Sequence, residues 1–215
     1  MIVEDQLFRF KKNLKYIVID TETESLNNYY SRPWEVSWLV VHGKEIVKKY
    51  EKFPLIKDLN LSKGAAKITR FDKEEYKTKA ESAIEVYKLL KTFLYNPEYI
   101  IVGLNYLGFD IYQIAALQRE LNEKVDYSYI NRVYDVLSLG RAYKQNFKFP
   151  EQKEKITPWM YQLINVKVKG LKAGLEALCK EFKLNYSEEE HHSGVYDIIK
   201  TKEIFEQLYW KLEIW

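Results

Sequence analysis

The sequence predicts an α/β domain with a mixed central sheet flanked by helices. Three observations lead there. Short apolar, β-branched runs end abruptly in acidic or polar residues, one pair of such runs is joined by a hairpin signal, and amphipathic segments of helical spacing lie between and after them.

The first run, Tyr16-Ile17-Val18-Ile19, ends in Asp20 and reads as a buried strand. Trp34 to Val41 is the second, and Glu45 to Phe53 follows it after the turn signal His42-Gly43-Lys44, which predicts a hairpin. From Ser82 to Leu94 the residues Ile84, Tyr87, Leu90, Lys91 and Leu94 recur at helical spacing, and Pro97 stops the helix. Tyr99 to Leu104 is another buried strand. Asp110 to Leu121 is helical, with Ile111, Ile114, Ala115, Leu117 and Leu121 on its apolar side. Arg132 to Leu137 forms a short strand that passes into a helix over Ser138 to Tyr143. From Lys144 to Lys169 the pattern dissolves into Lys, Gln, Pro and isolated aromatics, which predicts an insertion or long loop within a single domain spanning residues 1–215. Two helices close the chain, Leu171 to Phe182 and Asp197 to Leu208, and no internal repeat is visible.

Composition narrows the class. Hydrophobic residues make up 47% and charged residues 30% of 215, enough for a real core and unlike a disordered chain. The net charge of +3, from 34 basic and 31 acidic residues, is too small to announce a nucleic-acid binder, although a carboxylate centre would mask basic surface in that sum. The single cysteine, Cys179, excludes an intrachain disulfide and lies in an apolar helical pattern, as a small buried hydrophobe in a reducing compartment does. With no signal stretch and no apolar run long enough to span a bilayer, the expectation is a soluble, cytoplasmic protein without membrane association.

The chemistry is carried by acids placed where apolar strands end. Asp20 and Glu22 are two apart in extended chain, so both carboxylates face one side and can converge on one cation. Asp110 follows another strand at the start of a helix, and Asp197 opens the last helix. Singly, Asp110 or Asp197 reads as an N-cap, and Asp20 with Glu22 as the solvated end of a strand. Together they do not. Crowded carboxylates repel unless something positive joins them, and a hard divalent cation with oxygen ligands is the natural partner.

Asp20-Thr21-Glu22-Thr23 resembles the D-x-E first motif of the DEDD exonucleases, carried on the first strand of an RNase H-like (DnaQ-like) fold. Asn105-Tyr106-Leu107-Gly108-Phe109-Asp110 resembles their second motif, and His192-Ser193-Gly194-Val195-Tyr196-Asp197 the H-x-x-x-x-D third motif of the "h" branch. The tyrosine branch would need Tyr where Ser193 stands. Weaker echoes occur at Ile68-Thr69, at Asp135 with Leu139 and Arg141, and over Thr201 to Leu208. The resemblance covers nearly the whole chain outside 144–169. It departs at Glu24, where relatives often carry a glycine that lets backbone approach the terminal nucleotide, and at Leu104, where many carry His.

The resemblance implies a 3′→5′ exonuclease using two divalent cations, Mg²⁺ or Mn²⁺, about 4 Å apart. Asp20 would bridge both, Glu22 and Asp197 would complete the nucleophile-side metal, and Asp110 would hold the second through water. His192 would act as general base on the attacking water, a task suited to an imidazole with an ordinary pKa of about 6.5. His191 is the alternative, one position too far from Asp197 for the motif. By the same analogy Leu26 would wedge against the terminal base, Thr23 or its backbone would bind the 3′-hydroxyl, and Asn105 would bond a phosphate or orient the second-motif loop, or else simply stabilise its own turn. Phe109 reads as core and His42 as a solvated turn residue.

The implied partner is nucleic acid, first of all single-stranded DNA 3′ ends, with a separate polymerase as a further candidate. RNA as substrate is the nearest rival, because contacts to a 2′-hydroxyl leave no mark in sequence. A non-catalytic binding or polymerase-associated subunit is the rival of another class, and it predicts eroded acids. Between Arg141 and Trp159, Lys144, Lys148, Lys153 and Lys155 interleave with Tyr143, Phe147, Phe149 and Trp159. That suits either a single-strand contact or a solvated loop.

Overall fold

The computed structural model describes residues 11, 13–191 and 193–212. Five strands form one mixed sheet: β1 (Lys15–Thr23), β2 (Pro33–His42), β3 (Glu45–Lys52), β4 (Tyr99–Gly103) and β5 (Val133–Asp135), in the order β3-β2-β1-β4-β5. β1 to β3 run as an antiparallel meander, whereas β4 pairs parallel to β1 and β5 parallel to β4. The expected hairpin is β2–β3, with His42 paired to Glu45 and Gly43 at φ 62° in the turn. Its ring nitrogen Nε2 lies 3.1 Å from the Tyr99 hydroxyl at the surface. β3 is the exposed edge, and its Lys48, Lys49, Glu51 and Lys52 discourage pairing with another chain.

Period-two alternation along β1 decides what each face carries. Tyr16 points to the C-terminal helix α8 (Gly194–Leu212), where its hydroxyl donates to Glu206 at 2.8 Å and its ring meets Phe205. Asp20 and Glu22 share that parity. Thr21 has the opposite parity and faces α4 (Asp110–Glu120). The α4 face is completed by α3 (Ala83–Leu94), where Tyr87, Leu90 and Leu94 are buried as the helical spacing predicts, whereas Ile84 is 51% exposed and Val86 takes its place on the buried side. Each aliphatic side chain of this set contributes about 1.5–3 kcal/mol on burial. On the α8 face, α5 (Val136–Lys144) packs against α8 and is capped by Asp135, which accepts from Ser138 N.

Two features were not legible in the sequence. Between β3 and α3 lie two short helices, α1 (Lys63–Ile68), capped by Ser62, and α2 (Lys73–Lys79), capped by Asp72. Only Tyr76 among their residues is buried, so no apolar stripe announces them. It joins Trp34 and Phe53 in a small separate cluster. The segment 144–169, expected as an insertion or long loop, carries the helix α6 (Lys153–Asn165) with Pro158 inside it. Ile156, Met160 and Leu163 are its buried line. Phe149 and Trp159 meet edge-on at 5.4 Å, and Phe149 also stacks on Tyr134, so these aromatics serve packing. The last short helix, α7 (Leu175–Glu181), holds Cys179 fully buried.

Candidate metal centre

Asp20 and Glu22 project from the carboxyl end of β1 toward the first turns of α8, which supplies Asp197. Each of the three offers a carboxylate oxygen, and these oxygens all lie within 4.8 Å of one another. Asp197 is the fourth residue of α8 and so is not its N-cap; the helix begins at Gly194. Asp110 approaches from the other face. It is the first residue of α4, also not a cap, and its carboxylate accepts from Thr21 N at 2.9 Å and Thr21 Oγ1 at 2.7 Å. Thr21 thus stands between two acids of its own strand and hangs a third on the opposite side.

Burial, and then the neighbouring carboxylates, hold Asp20 and Glu22 well above the ordinary carboxylate range; Asp110 weighs most on Asp20 and Glu35 on Glu22. Burial pushes Asp110 up to about 7 against the opposing hydrogen bonds from Thr21. This is the electrostatic condition expected of a centre built to receive positive charge. The donor set, all carboxylate oxygen, fits a hard divalent cation such as Mg²⁺ or Mn²⁺. Asp20, Glu22 and Asp197 would hold one ion directly, with Asp110 nearby for a second.

His192 lies outside the described residues. The adjacent His191 is described, and its Nδ1 sits 2.9 Å from Asp197 Oδ1. The segment leading to His191 is tied down: the Tyr196 hydroxyl accepts from Ser187 N at 2.6 Å, and Arg70 donates to the carbonyls of Glu188 and Glu189.

The other expected residues are placed as follows. Thr23 is buried, with its hydroxyl donating to Ser25 O at 2.8 Å. Leu26 is 84% exposed on the β1–β2 loop. Asn105 takes a left-handed φ of 61°, as Asn tolerates, and its side chain folds over Gly108 so closely that a Cβ there would lie 2.4 Å from Oδ1. That close approach accounts for the glycine inside the second motif.

Two further buried acids lie beside the centre: Glu35, which sequence reading missed, and Asp135, which it noted only as a weaker echo of the family pattern. Glu35 pairs across the sheet with Glu22, accepts from Ser37 Oγ at 2.7 Å, and is pushed by burial to about 7. Its signal was available: an acid and a serine on alternate positions of an otherwise apolar strand, Trp34-Glu35-Val36-Ser37-Trp38. Asp135, at the end of β5 beside Gly103, accepts from Leu107 N at 2.9 Å and Ser138 N at 3.0 Å. It fixes the second-motif loop while capping α5, and burial raises it to about 6. In sequence it was visible as a weaker echo of the family pattern and as part of a strand-to-helix junction.

A family model described as RNase T exonuclease matches residues 17–205, a span that holds all four acids. The chain belongs to the exonuclease family. A search of curated proteins finds no match. Among solved structures, this exonuclease domain is similar to E. coli Exonuclease I in complex with a dA16 oligonucleotide, with TM-score 0.72 and 17% identity over 93% of this chain and 41% of that one. It is also similar to the apo form of Exonuclease I, with TM-score 0.71 and 16% identity over 94% of this chain and 43% of that one. At such identity the likeness is one of fold, the RNase H-like exonuclease arrangement of a mixed sheet between helices. The chain spans about two fifths of the length of the structures it matches. Among the described residues no helix is long and apolar enough to cross a membrane.

Proposed function

We propose that the protein is a metal-dependent 3′→5′ exonuclease that releases nucleotides from single-stranded DNA ends. The observation that carries this reading is the convergence of Asp20, Glu22 and Asp197 within 4.8 Å at the end of β1, with Asp110 held beside them by Thr21. Two divalent cations bound there would neutralise the scissile phosphate, ease deprotonation of water and stabilise the departing 3′-oxygen. The chain's own residues do the rest. Asp20, Glu22 and Asp197 would hold the ion that activates the attacking water, and Asp20 with Asp110 would hold the ion that stabilises the departing oxygen. His192 takes the proton from the attacking water; His191, already bonded to Asp197, is the competing base. Water adds to phosphorus, the P–O3′ bond breaks, the freed 3′-oxygen takes up a proton, and a nucleoside 5′-monophosphate leaves. Leu26, exposed at the rim, is the wedge for the terminal base, with Thr23 and Asn105 shaping the pocket for that nucleotide.

The choice of DNA over RNA is supported by Exonuclease I having been captured with single-stranded DNA such as dA16. The test is digestion of matched 5′-labelled single-stranded DNA and RNA with Mg²⁺, Mn²⁺ or EDTA. A metal-dependent ladder shortening from the 3′ end, faster on DNA, is the expected result. A faster RNA ladder would make the enzyme an exoribonuclease. Intact substrate in every lane, from folded protein, would leave only a nucleic-acid-binding role.

A further inference from the structure

We propose that Tyr29 and Tyr30 form a stacking platform for the bases of the single strand on its way to the acid site. This rests on the exonuclease reading for its substrate. The two tyrosines are 72% and 75% exposed, and their rings meet edge-on, 4.7 Å apart at 82°. Large aromatic side chains so exposed add nothing to a core.

The loop that presents them, between β1 and β2, is nevertheless held firmly. Asn27 Oδ1 accepts from the backbone N–H of both Tyr29 and Tyr30, at 2.9 and 3.0 Å. Ser25 and Ser31 exchange hydrogen bonds across its base. Arg32 makes a two-pronged ion pair with the buried Glu24, each contact 2.8 Å. Asn28 Nδ2 donates to Gly108 O at 3.0 Å, which fastens the loop to the second motif two residues before Asp110. Arg119 donates to Tyr29 O at 3.3 Å and sets its guanidinium 5.8 Å from the Tyr29 ring. The structure therefore holds two apolar ring faces rigidly in water, with a cation behind one of them, at the rim of the site.

That combination suits bases, which stack on aromatic faces whatever their identity, with phosphates drawn by the adjacent positive charge. Arg119 lies nine residues along α4 from Asp110, about 13 Å at the rise of a helix. The platform therefore engages bases a few nucleotides away from the scissile bond, outside the pocket for the terminal one.

The experiment is anisotropy of a 5′-fluorescein oligothymidylate of about twelve nucleotides, in EDTA so that nothing is cleaved, beside a matched oligomer made of abasic sites. Wild type is expected to bind the thymidylate at least tenfold tighter than the abasic strand. The Tyr29→Ala/Tyr30→Ala double variant should lose that preference, and the Tyr29→Phe/Tyr30→Phe variant should keep it. An alanine variant that retains the full preference overturns the platform, as does a phenylalanine variant that loses as much as alanine, or a wild type without preference. Cleavage in Mg²⁺ is scored separately. A wild type that shows the preference but never cleaves removes the exonuclease reading and leaves the platform standing. One that cleaves while the substitutions leave binding untouched does the reverse.

Discussion

Thr21 shows how much one residue decides. Its neighbours Asp20 and Glu22 face α8 because a strand alternates, and for the same reason Thr21 faces α4, where both its N–H and its hydroxyl donate to Asp110. Those two bonds oppose the rise that burial imposes on Asp110. Thr21→Val keeps the shape and removes the hydroxyl donor. It should cost about 1–3 kcal/mol in urea unfolding, since it strips a bond from a buried carboxylate, and it should slow cleavage by loosening Asp110. Full activity at unchanged stability would mean that Thr21 does not position Asp110. The D-x-E spacing was readable as a shared carboxylate face; the residue between the acids was not readable as a second anchor. Glu35 was passed over for a similar reason. A buried acid in a central strand has meaning only once the register opposite Glu22 is known.

Among the elements, α8 matters most to the site because its first turn sets Asp197. The helix begins against β2 at Gly194, where a Cβ would lie 2.3 Å from Glu35 Oε1 and 2.9 Å from Ser37 Oγ. Gly194→Ala must therefore shift either the Glu35 and Ser37 side chains or the start of α8, and we expect the buried, hydrogen-bonded Glu35–Ser37 pair to hold and the helix start to move, Asp197 with it. The expected outcome is a loss of cleavage of tenfold or more with far-UV circular dichroism retained, since a displacement of about 1 Å costs about a hundredfold in well-positioned chemistry. Unimpaired turnover would show that the helix start tolerates displacement. Strands β1, β2 and β4 and helices α3, α4 and α8 were legible because their apolar periods are long and regular. The helix α6 was hidden by Pro158 and by the charges of Lys153, Glu154 and Lys155, and α1 and α2 by the shortness of their buried faces. Sequence patterns report burial, so elements with little of it stay silent.

For the molecule as a whole, the acid centre links stability to pH and to metal. Asp110 and Glu35 are held at about 7 and Asp135 at about 6, each above its unfolded value. Between about pH 4 and pH 7 the folded, metal-free chain thus binds more protons than the unfolded one, and its stability falls as pH rises through that window. In EDTA the melting temperature should be lower at pH 8 than at pH 5.5. Saturating Mg²⁺ should restore it at pH 8, because an ion that binds only the folded state stabilises that state. A metal-free protein that melts higher at pH 8, or one indifferent to Mg²⁺ there, would contradict this linkage.

The most direct test of the central claim, that the acids at the end of β1 hold the catalytic cations, is calorimetric titration of Mn²⁺ into the wild type and into Asp20→Asn. Saturable binding to the wild type, lost or weakened at least tenfold in Asp20→Asn while that variant stays folded, is the predicted result. Equal binding by the two proteins would place the metal elsewhere and contradict the account.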